Sequence, residues 1–368
     1  MDGRGCSGRT RSLRAALGCV DVQATDLSSG DARPTTNGPP LDVVAVGSAL
    51  VDVLTSASDD LPGRVGLTKG TMTLVDLESA ARVYREMGPA TEVSGGSAAN
   101  TAVGLAMLGG RAGYVGKVAA DELGEVFVHD IRAAGVELGS VIPAAVSADP
   151  SSDRATGRCL VIVTEDGERT MATHLGVAST LGPEDLDEEL VSRARVVYLE
   201  GYLWDVEVAK AAMRRAIEVA HASDALVALT VSDPLCVRRH QREFLELLKS
   251  DVDMLFANEE EAVLLFGSSG FDGALSAAEE TGLLTAVTRG PAGSVVVGCA
   301  ENIFVPAEPV EHVVDTTGAG DLYAAGFLYG LTHGKDPAQC ARLGGLCAAE
   351  VISHIGARPE LDLRGLVT

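Results

Sequence analysis

Short apolar runs rich in β-branched residues return along this chain with helical stretches between them, and that alternation limits the fold more than any other feature. The first run, LDVVAVGSALVDVL from Leu41, is almost continuously apolar and breaks at a glycine turn. Such text suits a strand buried on both faces, and it puts Asp52 where the strand's carboxyl end would present it. Strand-like runs follow at 112–118, 196–199, 226–230, 254–257, 286–288 and 294–297. Helical stretches at 121–134, 206–221 and 242–249 separate several of them, the first with Phe127 and Ile131 on one face. Strands alternating with helices predict an α/β fold: a doubly wound, mostly parallel sheet covered on both faces.

Two segments break the rhythm. Residues 67–75 and 159–173 read as hairpin material, the second with an Asp166-Gly167 turn. Both fall between major strand–helix units, so they predict a small β-sheet lid, built from about 52–75 and 157–176, over the edge of the main sheet. With 46% hydrophobic residues among 368, residues 41–368 can close one core.

A formal charge of −23 argues against nucleic acid or an anionic membrane as partner. It also requires any polyphosphate site to gather positive potential locally. No apolar run approaches the ~20 residues of a membrane span. Seven cysteines show no CxxC pair or Cys/His cluster; Cys340 and Cys347 stand two helical turns apart in apolar text. They read as reduced core thiols of a cytoplasmic protein. Residues 1–40, with Arg4, Arg9, Arg11 and Arg14 and a Ser/Gly/Pro/Thr-rich stretch, read as a disordered extension, with a transit peptide or a misassigned start as alternatives.

The most informative stretch is VVDTTGAGDLYAAGFLYGL, residues 313–331. A short strand runs into small residues and a helix begins near Asp321, so the amides of Gly318, Ala319 and Gly320 converge at a helix start and form an anion site. Asp321 there either caps the helix or takes a proton from a hydroxyl attacking a phosphoryl group. In TEVSGGSAANTAVGLAMLG, Gly95 and Gly96 allow close backbone approach and hinge movement ahead of a small-residue helix. Asn100 there offers a hydrogen bond to a hydroxyl; the alternative is a tight turn capped by Ser97. In FANEEEA, Asn258 and Glu261 share one face of a helix start. They suit a hydrated magnesium ion, or else form an acidic first turn favoured by the helix dipole. TRGPAGSVV, from Thr288, is either a nucleotide-facing turn carrying Gly290 and Gly293 or a plain hairpin turn.

GGSAANTAVGLAMLG and DTTGAGDLYAAGFLYGL resemble the two signature regions of the ribokinase-like (PfkB) carbohydrate and nucleoside kinases. The Asn258/Glu261 element and the TRGPAG turn lie between them in the family's order, and the similarity runs from about Leu41 to the C-terminus. The resemblance implies an ATP- and Mg2+-dependent kinase with Asp321 as base and Gly318, Ala319 and Gly320 as anion hole. It implies further that Asp52 and Asn100 bind hydroxyls beside the Gly95-Gly96 hinge, that Asn258 and Glu261 organise magnesium and phosphates, Glu261 through water, and that Thr288, Gly290 and Gly293 line the ATP site. Members activated by a monovalent cation such as K+ hold it near the segment matched here by Asp315 and Thr317, with Ser353 and Gly356 beyond. Arg169, in the lid stretch, matches an arginine that reaches phosphates in nucleoside-type members, or is an exposed turn residue.

The text most resembles bacterial adenosine kinases of the family in ARVVYLEGYLWD, LTVSDPLCVRRHQREF, LFANEEEA and EVISHIGARP, which implies 5′-phosphorylation of adenosine. Ribokinase, fructokinase, another nucleoside kinase and a non-catalytic member remain alternatives, and both monomers and homodimers occur among relatives. Phe256, Tyr202 and Trp204 are aromatics either for stacking a purine or for the core. A dinucleotide-binding oxidoreductase would need GxGxxG at the first βα turn, where the chain has GSALVD, and GAGDLYAAG has the wrong spacing. GRAGYVGKV lacks the spacing and the Ser/Thr of a P-loop.

Overall fold

The computed structural model describes residues 38–139, 154–166 and 168–367. Nearly all of the extension read at 1–40 lies outside the described residues, as does Gly167 of the Asp166-Gly167 turn. In chain order the first strands are β1 (Leu41–Val46), β2 (Leu50–Ala57), β3 (Met72–Leu74), β4 (Thr91–Gly95), β5 (Ala112–Val115), β6 (Glu137–Leu138), β7 (Gly157–Thr164) and β8 (Arg169–His174). They are followed by β9 (Ala194–Glu200), β10 (Leu226–Thr230), β11 (Met254–Asn258), β12 (Leu284–Thr288), β13 (Ser294–Val297) and β14 (Ile303–Val305).

Nine strands make the main sheet in the order β14-β13-β12-β11-β10-β9-β1-β5-β6. From β6 to β12 all neighbours are parallel, and β13 and β14 add an antiparallel edge. Every residue of β1 is buried, as its place between β5 and β9 requires. One face is covered by the helices Ser97–Met107, Glu122–Ala133, Ala319–Thr332 and Pro337–Val351, the last with Cys340 and Cys347 buried in it. The helices Glu207–Ala222, Pro234–Ser250, Glu259–Phe266 and Phe271–Thr281 cover the other. This is the expected doubly wound arrangement.

A second, five-stranded sheet has the order β3-β8-β7-β2-β4. Here the structure corrects one detail of the sequence reading. The run from Leu41 is two strands: β1 stops at Val46, the chain turns at Gly47-Ser48-Ala49, and β2 joins the second sheet. Asp52 is therefore the third residue of a lid strand, not the end of a main-sheet strand. Residues 159–173 form the hairpin β7–β8, whereas the 67–75 region supplies only β3, paired parallel with β8.

Candidate active site

A cavity of about 560 Å3 lies between the two sheets. Its main-sheet side is made by strand ends: Glu200 closes β9, Thr230 β10, Asn258 β11 and Thr288 β12, while Ser48 follows β1. This is the carboxyl edge, where open α/β sheets bind ligands.

The helix Ala319–Thr332 is buried over most of its surface, so its start is held firmly. Gly318 is its N-cap, with φ +77°, and a Cβ there would lie 2.7 Å from Ala357 Cβ; both conformation and space demand glycine. The N–H groups of Gly318 and Gly320 make no hydrogen bond among the described residues, while Ala319 N–H donates to Thr316 O at 3.3 Å. Two of the three expected amides are thus open to an anion.

Asp321 faces the same cavity. Ser97 Oγ donates to its Oδ1 at 2.6 Å and Asn100 Nδ2 to its Oδ2 at 2.9 Å, while Thr101 Oγ1 donates to its carbonyl at 3.2 Å. Burial raises its pKa above the ordinary carboxylate value, and the two side-chain bonds pull it back. Ser97 does not cap its helix: Gly96 is the N-cap, with no side-chain cap bond, and Ser97 holds Asp321 instead. Asn100 has its amide nitrogen on Asp321, while its Oδ1 is buried without a partner in a residue that lines the cavity. An orphaned acceptor there fits a ligand hydroxyl.

Asp52 enters the cavity from β2, and burial pushes its pKa up to about 6 against the opposing pull of Arg358 and Arg169. Gly95, its cross-strand neighbour region on β4, makes room: a Cβ at Gly95 would stand 2.4 Å from Asp52 Oδ2. Gly96 has φ +96°, and a Cβ there would lie 2.2 Å from Ser48 O. Glu200 was not singled out from the sequence, yet it is fully buried and joins both glycine loops. Its carboxylate accepts from Ser48 N at 2.7 Å and Ala98 N at 2.9 Å, and burial lifts its pKa to about 7. A lone glutamate ending the apolar run VVYLE just before a glycine was the available signal.

Asn258 and Glu261 line the cavity and form a capping box: Asn258 Oδ1 accepts from Glu261 N at 2.9 Å, and Glu261 Oε2 accepts from Asn258 N at 2.9 Å. The cap and the cavity position coexist. Burial lifts Glu261 to about 7. Among the described residues no cluster of three or more His, Cys, Asp or Glu could hold a metal. The pair fits a hydrated magnesium ion bound mainly through water and phosphate. Thr288 lines the cavity, whereas Gly290 and Gly293 lie in the turn between β12 and β13, off its walls. A Cβ at Gly293 would meet Val305 O at 2.0 Å, so that glycine serves strand packing.

Arg169 is not an exposed turn residue. It reaches from β8 to the irregular segment before the anion site, where the short strand expected from the sequence does not form, pairing with Asp315 Oδ2 and donating to Thr317 Oγ1 at 2.6 Å. Asp315 also accepts from Thr317 N at 3.0 Å and from Gly356 N at 2.6 Å. The expected K+ ligands Asp315, Thr317 and Gly356 do come together, but a guanidinium already neutralises the carboxylate. Ser353 Oγ instead donates to Glu350 O. These residues do not fit a monovalent cation on Asp315, and no step below depends on one. Of the aromatics, Phe256 and Tyr202 line the cavity. Trp204 is core: fully buried, it donates to Glu243 Oε2 at 2.9 Å.

A doubly wound sheet with a strand-built lid, and a buried carboxylate beside open helix-start amides in the cleft between them, is the build of a small-molecule kinase. The chain belongs to the pfkB family of carbohydrate kinases, whose family model matches residues 65–363. It has the ribokinase-like fold and is an ATP-dependent kinase. It is 47% identical to the adenosine kinase of Sinorhizobium meliloti, with TM-score 0.83 over 89% of this chain and 98% of that one. A probable sugar kinase from Rhizobium etli CFN 42 is 44% identical at the same TM-score, over 90% of this chain and 98% of the other. The adenosine kinase of Saccharomyces cerevisiae is 28% identical over 85% of this chain and 95% of its own.

Proposed function

We propose that the protein transfers the γ-phosphoryl group of ATP to the 5′-hydroxyl of adenosine, giving AMP and ADP. The observation that carries the choice of nucleoside over free sugar is the lid's inner wall. Leu50, Met72, Val161, Met171 and Leu175 face the cavity above Asp52. An apolar wall rewards a flat base with roughly 25 cal/mol per Å2 removed from water and gains nothing from a bare pentose. Below it, Asp52 and the free Asn100 oxygen offer acceptors for ribose hydroxyls. The adenosine kinases among its relatives support the same reading.

In this mechanism the ribose is held on Asp52 and Asn100 with its 5′-oxygen beside Asp321. Asp321 takes the hydroxyl proton as the oxygen attacks phosphorus in line. The Gly318 and Gly320 amides donate to the transferring phosphoryl oxygens, whose charge they meet at the positive helix end. The lid excludes water that would otherwise accept the phosphoryl group. Magnesium, held through water by Asn258 and Glu261, would neutralise phosphate charge in a protein with net charge −23.

The deciding experiment is initial-rate phosphorylation of adenosine, inosine, ribose and fructose with ATP. Adenosine should exceed either free sugar in kcat/KM by at least ~10²-fold, about 3 kcal/mol of base burial. A sugar that matches adenosine assigns the enzyme to sugar phosphorylation.

Asp52 also sets a pH expectation. A carboxylate raised to about 6 is protonated, and poorer as an acceptor, below that pH. For adenosine, kcat/KM should be level above about pH 7 and fall up to ~10-fold per unit below pH 6. A profile flat down to pH 5 counts against Asp52 as the ribose ligand.

A further inference from the structure

Arg358, in the EVISHIGARP stretch, was given no role from the sequence, yet its guanidinium holds the main chain on both sides of the Gly95-Gly96 hinge. On the lid side, Nε donates to Ser94 O at 2.8 Å and Nη2 to Ser94 Oγ at 3.0 Å. On the other side, Nη1 donates to Ala99 O at 3.1 Å, in the first turn of the helix Ser97–Met107. Ser94 is buried, and its N–H donates to Asp130 Oδ2 at 3.0 Å, so the hinge is gripped at amide and carbonyl together. The groups on either side of this grip are the ones the reaction uses. Asp52 packs against Gly95, while Ser97 and Asn100 hold Asp321.

We propose that Arg358 is a positioning residue of the kinase reaction, a fixed pivot that keeps the acceptor-binding carboxylate on the lid in register with the base on the core. Without it, two adjacent glycines would leave the angle between β4 and the following helix loosely defined. A planar five-donor fork serves this place because it bonds acceptors of different segments at once; an ammonium on the same stem cannot reproduce the geometry. Its charge also matters. Asp52, Asp130, Asp321 and Tyr114 are the titratable groups that act on it. In turn it lowers the pKa of both Asp52 and Asp321 against the burial that raises them.

The inference rests on the roles given to Asp52 and Asp321 but not on adenosine, so the test uses whichever acceptor the wild type turns over fastest. Arg358→Lys keeps the charge and loses the fork; Arg358→Met loses both. Both variants should lower kcat at least ~10-fold, since small misplacements of reacting groups are costly. Both should also speed hydrogen exchange of the amides from Ser94 to Asn100 relative to the rest of the chain. The acid limb of kcat/KM should move to higher pH in Arg358→Met and stay in place in Arg358→Lys. Wild-type kcat and wild-type exchange in Arg358→Lys would overturn the pivot. If Arg358→Met does not fold, Arg358→Lys decides alone, with a thermal melt showing that it is native. Loss of turnover without faster exchange at the hinge also overturns the proposal.

Discussion

The Asp321→Asn enzyme should turn over at least ~10²-fold more slowly than wild type while its KM for the acceptor changes by less than about threefold. The reason is local. Asp321 receives one bond from Ser97 and one from Asn100, both into the cavity where the acceptor must sit. An asparagine keeps the outline, and Ser97, whose hydroxyl can turn from donor to acceptor, can satisfy the new amide while Asn100 still donates to the remaining oxygen. The variant therefore keeps its packing and loses only the capacity to take a proton. Rapid-quench or coupled assays of kcat at saturating acceptor, with the thermal midpoint measured alongside, check this. Turnover at the wild-type rate would remove Asp321 from the role of base.

Asp52→Ala should act on the other kinetic constant. A charge-assisted hydrogen bond contributes about 1.5–3 kcal/mol, so losing it should raise the acceptor KM by roughly 10- to 100-fold, with a smaller change in kcat. Asp52 suits this measurement because truncating its side chain leaves the β2 ladders intact, and its raised pKa reflects a carboxylate poorly solvated where it stands. Isothermal titration with the acceptor in the absence of ATP gives the same quantity without turnover. An unchanged KM and Kd would take Asp52 out of the acceptor site.

Much of this was legible in the sequence because backbone geometry wrote it there. The strands read at 226–230 and 294–297 are β10 and β13 to the residue, since each is a short β-branched run bounded by turn residues. Gly318 and its neighbours could be recognised because no other residue permits the left-handed N-cap against Ala357. What failed to show has equally physical reasons. The glycine turn at Gly47-Ser48-Ala49 was visible, but hydropathy does not say which sheet a buried strand joins. That hid the transfer of Asp52 to the lid. β4, TEVSG, is short and half polar, so it carries no strand pattern in the sequence. Glu200 and Arg358 escaped because a single buried charge has no periodicity; only the fold reveals what it touches. Arg169 was visible, but its partner Asp315 lies far along the chain, and so the guanidinium's occupation of the expected cation position was not.

The central place of β1 has a consequence for how the molecule is made. Its two neighbours in the main sheet begin only at Ala112 and Ala194, and β2, directly after it, waits for a parallel partner that begins at Gly157. During synthesis the earliest apolar strand leaves the ribosome long before either flank exists: the second sheet cannot close until His174, nearly half of the polypeptide, is out, and the main sheet needs more than half. Pairings this distant make assembly slow, and they leave the nascent strand dependent on protection from aggregation meanwhile.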